Sequence, residues 1–197
     1  MMAKPKQVRK KFSEMTPEEK KKMIVKETIS WILTLGAAVV IALCIRGFIF
    51  EPVIVDGESM LDTLHDHEIM FVTKFDYITG EPQSGDIIIC KYPESTKNYV
   101  KRLIGLPGDT LEIKDNVVYR NGVALDETYL TPERNDSPFY GNMALRTLGD
   151  DEYFVMGDNR DNSRDSRSTS VGLLNRKQIK GHVRFVFFPF DSVRKIE

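Results

Sequence analysis

The sequence predicts an antiparallel all-β domain carried behind a single membrane-spanning α-helix. Three observations predict it. Residues Ile29 to Ile45 form a charge-free run of seventeen residues that continues past Arg46 through Gly47-Phe48-Ile49-Phe50. From Glu51 onward, short runs rich in Val, Ile, Phe and Tyr are separated by Gly80-Glu81-Pro82, Gly85-Asp86, Pro107-Gly108-Asp109 and Asn121-Gly122, with no apolar repeat of helical length. Asn121-Gly122, set between Val118-Tyr119-Arg120 and Val123-Ala124-Leu125, is the signature of a two-residue type I′ hairpin.

A chain of 197 residues, 41% hydrophobic and 29% charged, has the composition of one globular domain plus an attachment. A net charge of -1 argues against nucleic acid as a partner. The charge is unevenly placed, because residues 1–27 hold nine Lys/Arg against four Glu just before the apolar run. By the positive-inside rule this lysine-rich start stays cytoplasmic and the remainder lies outside. The expected division is therefore a cytoplasmic tail over 1–28, an anchor over 29–50, and an extracytoplasmic domain over 51–197. A helix needs about 20 residues to cross the hydrocarbon, which this run supplies if Arg46 snorkels outward. No small-x-small pair follows the run, and Leu43 rather than a small residue precedes Cys44, so the segment reads as a retained anchor in the lipid bilayer. With Cys44 in the span and Cys90 in the outer domain, no disulfide joins the two, and the domain must be stable through its core.

Taken in order, Thr16-Pro17-Glu18-Glu19 can start a short helix within an otherwise solvated tail. Pro52 to Val55 reads as a first strand, broken by Asp56-Gly57. Strands follow at Glu68–Phe75, Ile87–Tyr92, Tyr99–Ile104, Thr110–Ile113 and Val117–Arg120. Residues 126–149, with Pro132, Pro138, Gly141 and Gly149, are irregular and read as an insertion. Tyr153–Met156 is a strand running into Gly157–Arg167, and Gly181–Pro189 is the last strand.

The candidate reactive group is Ser59, in the turn that follows the first strand. It lies eight residues beyond Glu51, so its hydroxyl is within about 26–29 Å of the end of the anchor. A serine needs a base. His65-Asp66-His67 has no third ligand placed by the sequence and reads as a solvated loop rather than a metal site. The nucleophile elbow G-x-S-x-G is missing its second glycine, since Leu61 stands there. Lysine is the other base able to activate serine, provided that burial makes it neutral. Lys101 is the best placed, because in a strand it shares a face with Tyr99 and Leu103 while Arg102 points the opposite way. The stretch Gly157–Arg167 carries Asp158, Asp161 and Asp165 against Arg160, Arg164 and Arg167. It lacks the sixth-position glycine of a calcium loop and reads as a turn cluster held by local bonds and ion pairs, with one of its serines serving the site.

These motifs stand in a telling order: Gly57-Glu58-Ser59-Met60 with Thr63-Leu64, then Gly85-Asp86-Ile87-Ile88, then Lys101 to Asp109, then Gly157-Asp158-Asn159 with Ser163, Asp165, Ser166 and Arg167. With the preceding span, the chain from Ile29 to Pro189 resembles bacterial type I signal peptidase, the membrane-bound serine/lysine endopeptidase. The resemblance implies two antiparallel sheets, with a smaller β subdomain inserted at about 110–150. It implies Ser59 as nucleophile, Lys101 as general base, Ser163 as the hydroxyl that orients the lysine, and Asp158, Asp165 and Arg167 as support. Val55, Met60, Leu64, Tyr99 and Val100 would shape the substrate cleft, and backbone N–H groups at Ser59 and Gly57 would bind the oxyanion. The implied partners are signal peptides of secreted preproteins, with no metal and no cofactor. Two positions depart from the family pattern: Asp62 stands where proline is usual, and Gly57 where some members carry serine. A self-cleaving serine/lysine protease of the SOS-repressor type would carry a DNA-binding helical domain and no span, the reverse of this chain. A catalytically silent homologue would be marked by loss of the serine or the lysine, and both are present.

Overall fold

The computed structural model describes residues 15–48, 50–93, 95–132 and 142–196. The chain divides into two units, Met1–Arg46 and Gly47–Glu197.

The first unit is built on helix α1, which spans Pro17–Phe48. Thr16 and Glu19 close a reciprocal cap: Thr16 N–H donates to Glu19 Oε2 at 2.9 Å and Glu19 N–H to Thr16 Oγ1 at 3.3 Å. Pro17 takes the first helical position, where its missing N–H costs nothing. The helix thus runs unbroken through residues 17–28, which the sequence assigns to a solvated tail; the lysines there are good helix formers that continue the register. Within Pro17–Leu43 the mean hydropathy reaches 1.7, and Trp31, Leu33 and Leu35 are among its exposed side chains. Such a helix, long enough and apolar all round, is a candidate membrane span.

Among the described residues the second unit is β apart from one four-residue α-helix and short 3-10 turns. Its strands are β1 (Phe50–Ile54), β2 (Ile69–Thr73), β3 (Ile87–Lys91), β4 (Asn98–Gly105), β5 (Thr110–Lys114), β6 (Val117–Arg120), β7 (Val123–Ala124), β8 (Met143–Thr147), β9 (Phe154–Met156), β10 (Ile179–Phe188) and β11 (Arg194–Lys195). Every pairing is antiparallel. One sheet has seven strands in the order β1-β2-β10-β3-β4-β9, with β11 pairing β10; the other has four, in the order β7-β6-β5-β8. The small sheet is inserted in sequence between β4 and β9, which pair with each other.

Alternation along β3 shows why these runs fold as strands. Ile87 and Ile89 enter one core cluster with Val55, Met60, Leu64 and Val72, while Ile88 and Cys90 enter another with Leu103 and Val155. The β6–β7 turn has positive φ at both Asn121 and Gly122, 54° and 78°, as a type I′ hairpin requires. Three elements differ from the sequence reading. The strand expected over Glu68–Phe75 stops at Thr73, because Thr73 Oγ1 bonds Asp76 and the chain turns into helix α2, Asp76–Thr79. Strand β8 forms within the stretch read as irregular, where Met143 pairs with Ile113; residues 133–141 of that stretch lie outside the described residues. The two-residue β11 is too short to leave a periodic signal.

Candidate active site

Ser59 lies in the loop between β1 and β2. That loop is closed at its base by Val55 N–H to Glu68 O at 2.8 Å and His67 N–H to Val55 O at 3.0 Å. Leu64 N–H donates to Met60 O at 2.8 Å, so a helical turn follows the serine directly. The loop after β9 grips this turn from another part of the chain. Asn159 N–H donates to Ser59 O at 3.1 Å, and Asn159 Nδ2 to Glu58 O at 3.0 Å. A Cβ at Gly157 would stand 2.4 Å from Ser59 O, so only glycine permits this approach.

Lys101 comes from β4, where Ile88 of β3 is its partner in register. Its Nζ is 2.6 Å from Ser59 Oγ and donates to Val100 O at 2.9 Å. Lys101 is 3% exposed, and no carboxylate among the described residues bonds its amine. Burial therefore holds its pKa below the ordinary value of 10.5; Cys90, Asp165 and Asp158 pull the other way without reversing it. The Cys90 pull is weaker still at neutral pH, because burial pushes that thiol up to about 12 and leaves it protonated.

Around this pair lies a buried polar frame. Asp165 takes Arg167 Nε and Nη2 at 2.8 Å each and Gly157 N–H at 3.0 Å. Burial alone would raise the Asp165 pKa, but the Arg167 bonds and charge outweigh it and hold it below the usual carboxylate range. Asp158, 0% exposed, accepts Arg102 Nε at 2.9 Å and Arg102 Nη2 at 2.8 Å, and takes the Thr63 hydroxyl at 2.5 Å. Ser163 Oγ is buried and makes no hydrogen bond of ordinary geometry among the described residues, though it lies close enough to Asp165 to help hold that carboxyl's pKa down; the lysine bonds Val100 O instead of this hydroxyl.

A cleft of about 220 Å³ opens at the pair, walled by Val53, Val55, Met60, Ile89, Tyr99 and Val100, with Asp56, Lys97 and Asn98 among its other lining residues. Leu64, expected at this wall, is 0% exposed in the core cluster behind Met60, because the helical turn after Ser59 directs it inward. Gly57 N–H, expected as an oxyanion donor, is committed to Asp66 Oδ1 at 2.9 Å. No described residue accepts from the N–H of Ser59. His65 and His67 face Glu68 and Asp66 at 3.7 and 3.2 Å beside a wider depression, and among the described residues no three His, Cys, Asp or Glu side chains gather as a metal site.

The sequence reading gave no role to Arg102, Asn159 and Thr63, although all three stand in its motifs, and it did not single out Glu127. Arg102 carried a usable signal, a second charge in the otherwise apolar run of β4. The others sit in turns whose side-chain bonds leave no periodic trace.

A serine hydroxyl stands against a buried amine at the mouth of an apolar cleft on an all-β frame, and the comparisons with known proteins give the class as a peptidase. The family model described as signal peptidase, peptidase S26, matches residues 28–188, and the chain belongs to that family. It is 44% identical over 185 residues to signal peptidase I of Bacillus licheniformis, covering 91% of this chain and 99% of the relative. It is 44% identical over 176 residues to signal peptidase I S of Bacillus subtilis (strain 168), covering 86% and 94%. Among solved structures, a signal peptidase I from Enterococcus faecalis V583 is 36% identical, covers 52% of this chain and 96% of its own, and has a TM-score of 0.46.

Proposed function

We propose that this chain removes signal peptides from exported preproteins, with Ser59 as nucleophile and neutral Lys101 as general base. The observation that carries the reading is the 2.6 Å approach of Ser59 Oγ to a buried amine whose pKa is lowered. With the amine neutral, the serine hydroxyl donates to Nζ. Oγ then attacks the scissile carbonyl carbon while its proton moves to Lys101. Negative charge develops on the carbonyl oxygen, and the Ser59 N–H is the donor for it. Collapse of this intermediate breaks the C–N bond, Lys101 gives its proton to the departing amine, and an ester to Ser59 remains. Water then attacks the ester, delivering a proton to Lys101, and as the C–Oγ bond breaks Lys101 returns that proton to Ser59 Oγ, which restores the serine and the neutral amine.

Ser163, whose buried hydroxyl lies near Asp165 with its oxygen still able to accept, is the acceptor proposed for a lysine N–H when Nζ turns during proton transfer. Asp158, Asp165 and Arg167 keep the loop that holds Ser59 O in place. The substrate adds as an extended strand beside β1, which among the described residues pairs only with β2, and its small side chains enter the cleft at Val55, Met60, Tyr99 and Val100. Helix α1 anchors the enzyme with the lysine-rich start in the cytoplasm and residues 51–197 on the extracytoplasmic face, where a membrane-tethered signal peptide is presented. The test is a detergent assay of the full chain on a signal-peptide substrate, with the cut site mapped by mass. Ser59→Ala and Lys101→Ala are expected to abolish cleavage, and processing by either variant at the wild-type rate overturns the proposal.

A further inference from the structure

Residues 125–131 leave the four-stranded sheet after β7, and three of their side chains bond to the pieces that hold Ser59. Glu127 takes the Arg160 guanidinium on both carboxylate oxygens, Nη2 on Oε1 at 2.5 Å and Nη1 on Oε2 at 3.3 Å. Arg160 is 2% exposed, and its Nε donates to Gly157 O at 2.9 Å. The Tyr129 hydroxyl donates to Glu127 Oε1 at 2.9 Å and accepts from Arg160 Nη2 at 3.3 Å, while its ring lies 3.8 Å from the Arg102 guanidinium. Thr131 Oγ1 donates to Asp62 Oδ2 at 2.7 Å, three residues past Ser59. One segment therefore reaches both the loop packed on the Ser59 carbonyl and the turn that follows the serine.

We propose that residues 127–131 are a strap that positions Ser59 against Lys101, with Glu127 and Thr131 as its positioning residues. The inference rests on the serine/lysine reading. The physical argument is geometric. A turn fixed from two sides loses the freedom to swing its hydroxyl away from Nζ, and a displacement of about 1 Å in such a pair costs roughly 100-fold in rate. The Glu127 tie is the stronger of the two, since it joins a bidentate pair of buried charges. The Thr131 tie is a single bond at a partly buried carboxylate. It also gives Asp62 a task that a proline at that position could not perform.

The test uses the full chain in detergent with a peptide carrying small residues at the third and first positions before the cut. It reads kcat, KM and the acidic limb of the pH profile. Glu127→Gln is expected to lower kcat roughly tenfold, a fraction of the 1 Å cost, while KM stays within about twofold. It should also move the acidic limb to higher pH, because a loosened loop admits water to Lys101 although Ser59, Cys90, Asp158, Asp165 and Arg167 still face it. Thr131→Val is expected to lower kcat about threefold and Thr131→Ser to restore it, the hydroxyl being one net hydrogen bond. A Glu127→Gln enzyme that melts earlier but keeps its kcat and its pH limb overturns the strap. So does equality of Thr131→Val with wild type, which decides the matter if Glu127→Gln fails to fold. Ser59→Ala run alongside separates the two readings: cleavage there at the wild-type rate overturns the dyad, whereas an inactive Ser59→Ala with unaltered strap variants overturns the strap alone.

Discussion

Lys101 and Arg102 are consecutive on β4 and equally buried, at 3% exposure each, yet the fold treats their charges in opposite ways. Adjacent residues of a strand face opposite sides. On the Lys101 side the neighbours are Ile88, Cys90, Tyr99 and Leu103, and no carboxylate among the described residues bonds the amine. On the Arg102 side Asp158 supplies two bonds and Gly85 O a third at 2.9 Å. Burial alone would lower both pKa values; it prevails for Lys101, whereas the Asp158 bonds and charge outweigh it for Arg102 and raise that group further. Loss of water is common to both sites, so the carboxylate partner sets the direction in which each pKa moves, and only the lysine has an ordinary value low enough for burial to matter to its charge. One strand thus holds a base and a structural cation side by side.

Exchanging the properties of the two residues gives the largest expected effect. Lys101→Arg puts a permanently protonated group where a neutral amine is needed, and the loss in kcat/KM should match the roughly 10²–10⁴-fold typical of a general base, with folding checked by circular dichroism. Activity near wild type would sink the assignment of Lys101 as base. Removing the partner from the other side comes next. Asp158→Asn removes the carboxylate that bonds the buried, charged Arg102 twice, and should lower the denaturation free energy by about 3–5 kcal/mol. An unchanged midpoint would mean that the other groups around Arg102, Gly85 O and the Tyr129 ring among them, hold its charge without Asp158. A smaller change gives Lys101 the partner that Arg102 has. Cys90→Asp places a carboxylate on the same face of β3 as Ile88, beside the amine, and should hold Lys101 protonated. Its activity at pH 7 should fall about 100-fold, equivalent to about 2.7 kcal/mol, and recover as pH rises. Cys90→Ser, which adds no charge, should stay within about threefold. A Cys90→Asp enzyme as active as Cys90→Ser would show that proximity of charge does not set the state of Lys101.

The same pair marks how far the sequence could be read. Alternation and turn residues were enough to place Lys101 and Arg102 on opposite faces, and the motif order brought Ser59 and Lys101 together as candidates. What lay across each face was not legible, because Asp158 and Cys90 reach β4 through tertiary packing that has no sequence period. Gly57 and Leu64 failed for the same reason. Whether a backbone N–H is free depends on Asp66 nine residues away, and whether a leucine lines a cleft depends on the direction of one helical turn. Helix α1 begins earlier than its apolar run because the cap at Thr16 and Glu19, rather than hydropathy, sets its start. The Asp62 position, anomalous by the family pattern, became interpretable only once Thr131 was seen to reach it; the Leu61–Asp62 peptide is cis there.

The smallest expected effect is on stability, and its sign separates the two residues most cleanly. Folding lowers the pKa of Lys101, so between the folded value and 10.5 the unfolded chain binds one more proton than the native one. Stability must therefore rise with pH across that window, and at neutral pH the unmet proton of Lys101 is a cost carried by the fold. That cost is roughly 1.4 kcal/mol for each tenfold by which the proton affinity is lowered. Lys101→Met removes it while keeping the length and apolar stem of the side chain, so the variant should be inactive, more stable than wild type at pH 7, and flatter in stability between pH 7 and 10. Asp165 supplies a slope of the same sign in a separate, acidic window: its folded pKa is depressed, so its contribution is present above about 4 and is lost as pH falls through the folded value. Urea titrations of wild type and Lys101→Met at a series of pH values read both limbs. If Lys101→Met is less stable than wild type at neutral pH, the amine is charged and paired in the native state, and the contrast with Arg102 disappears.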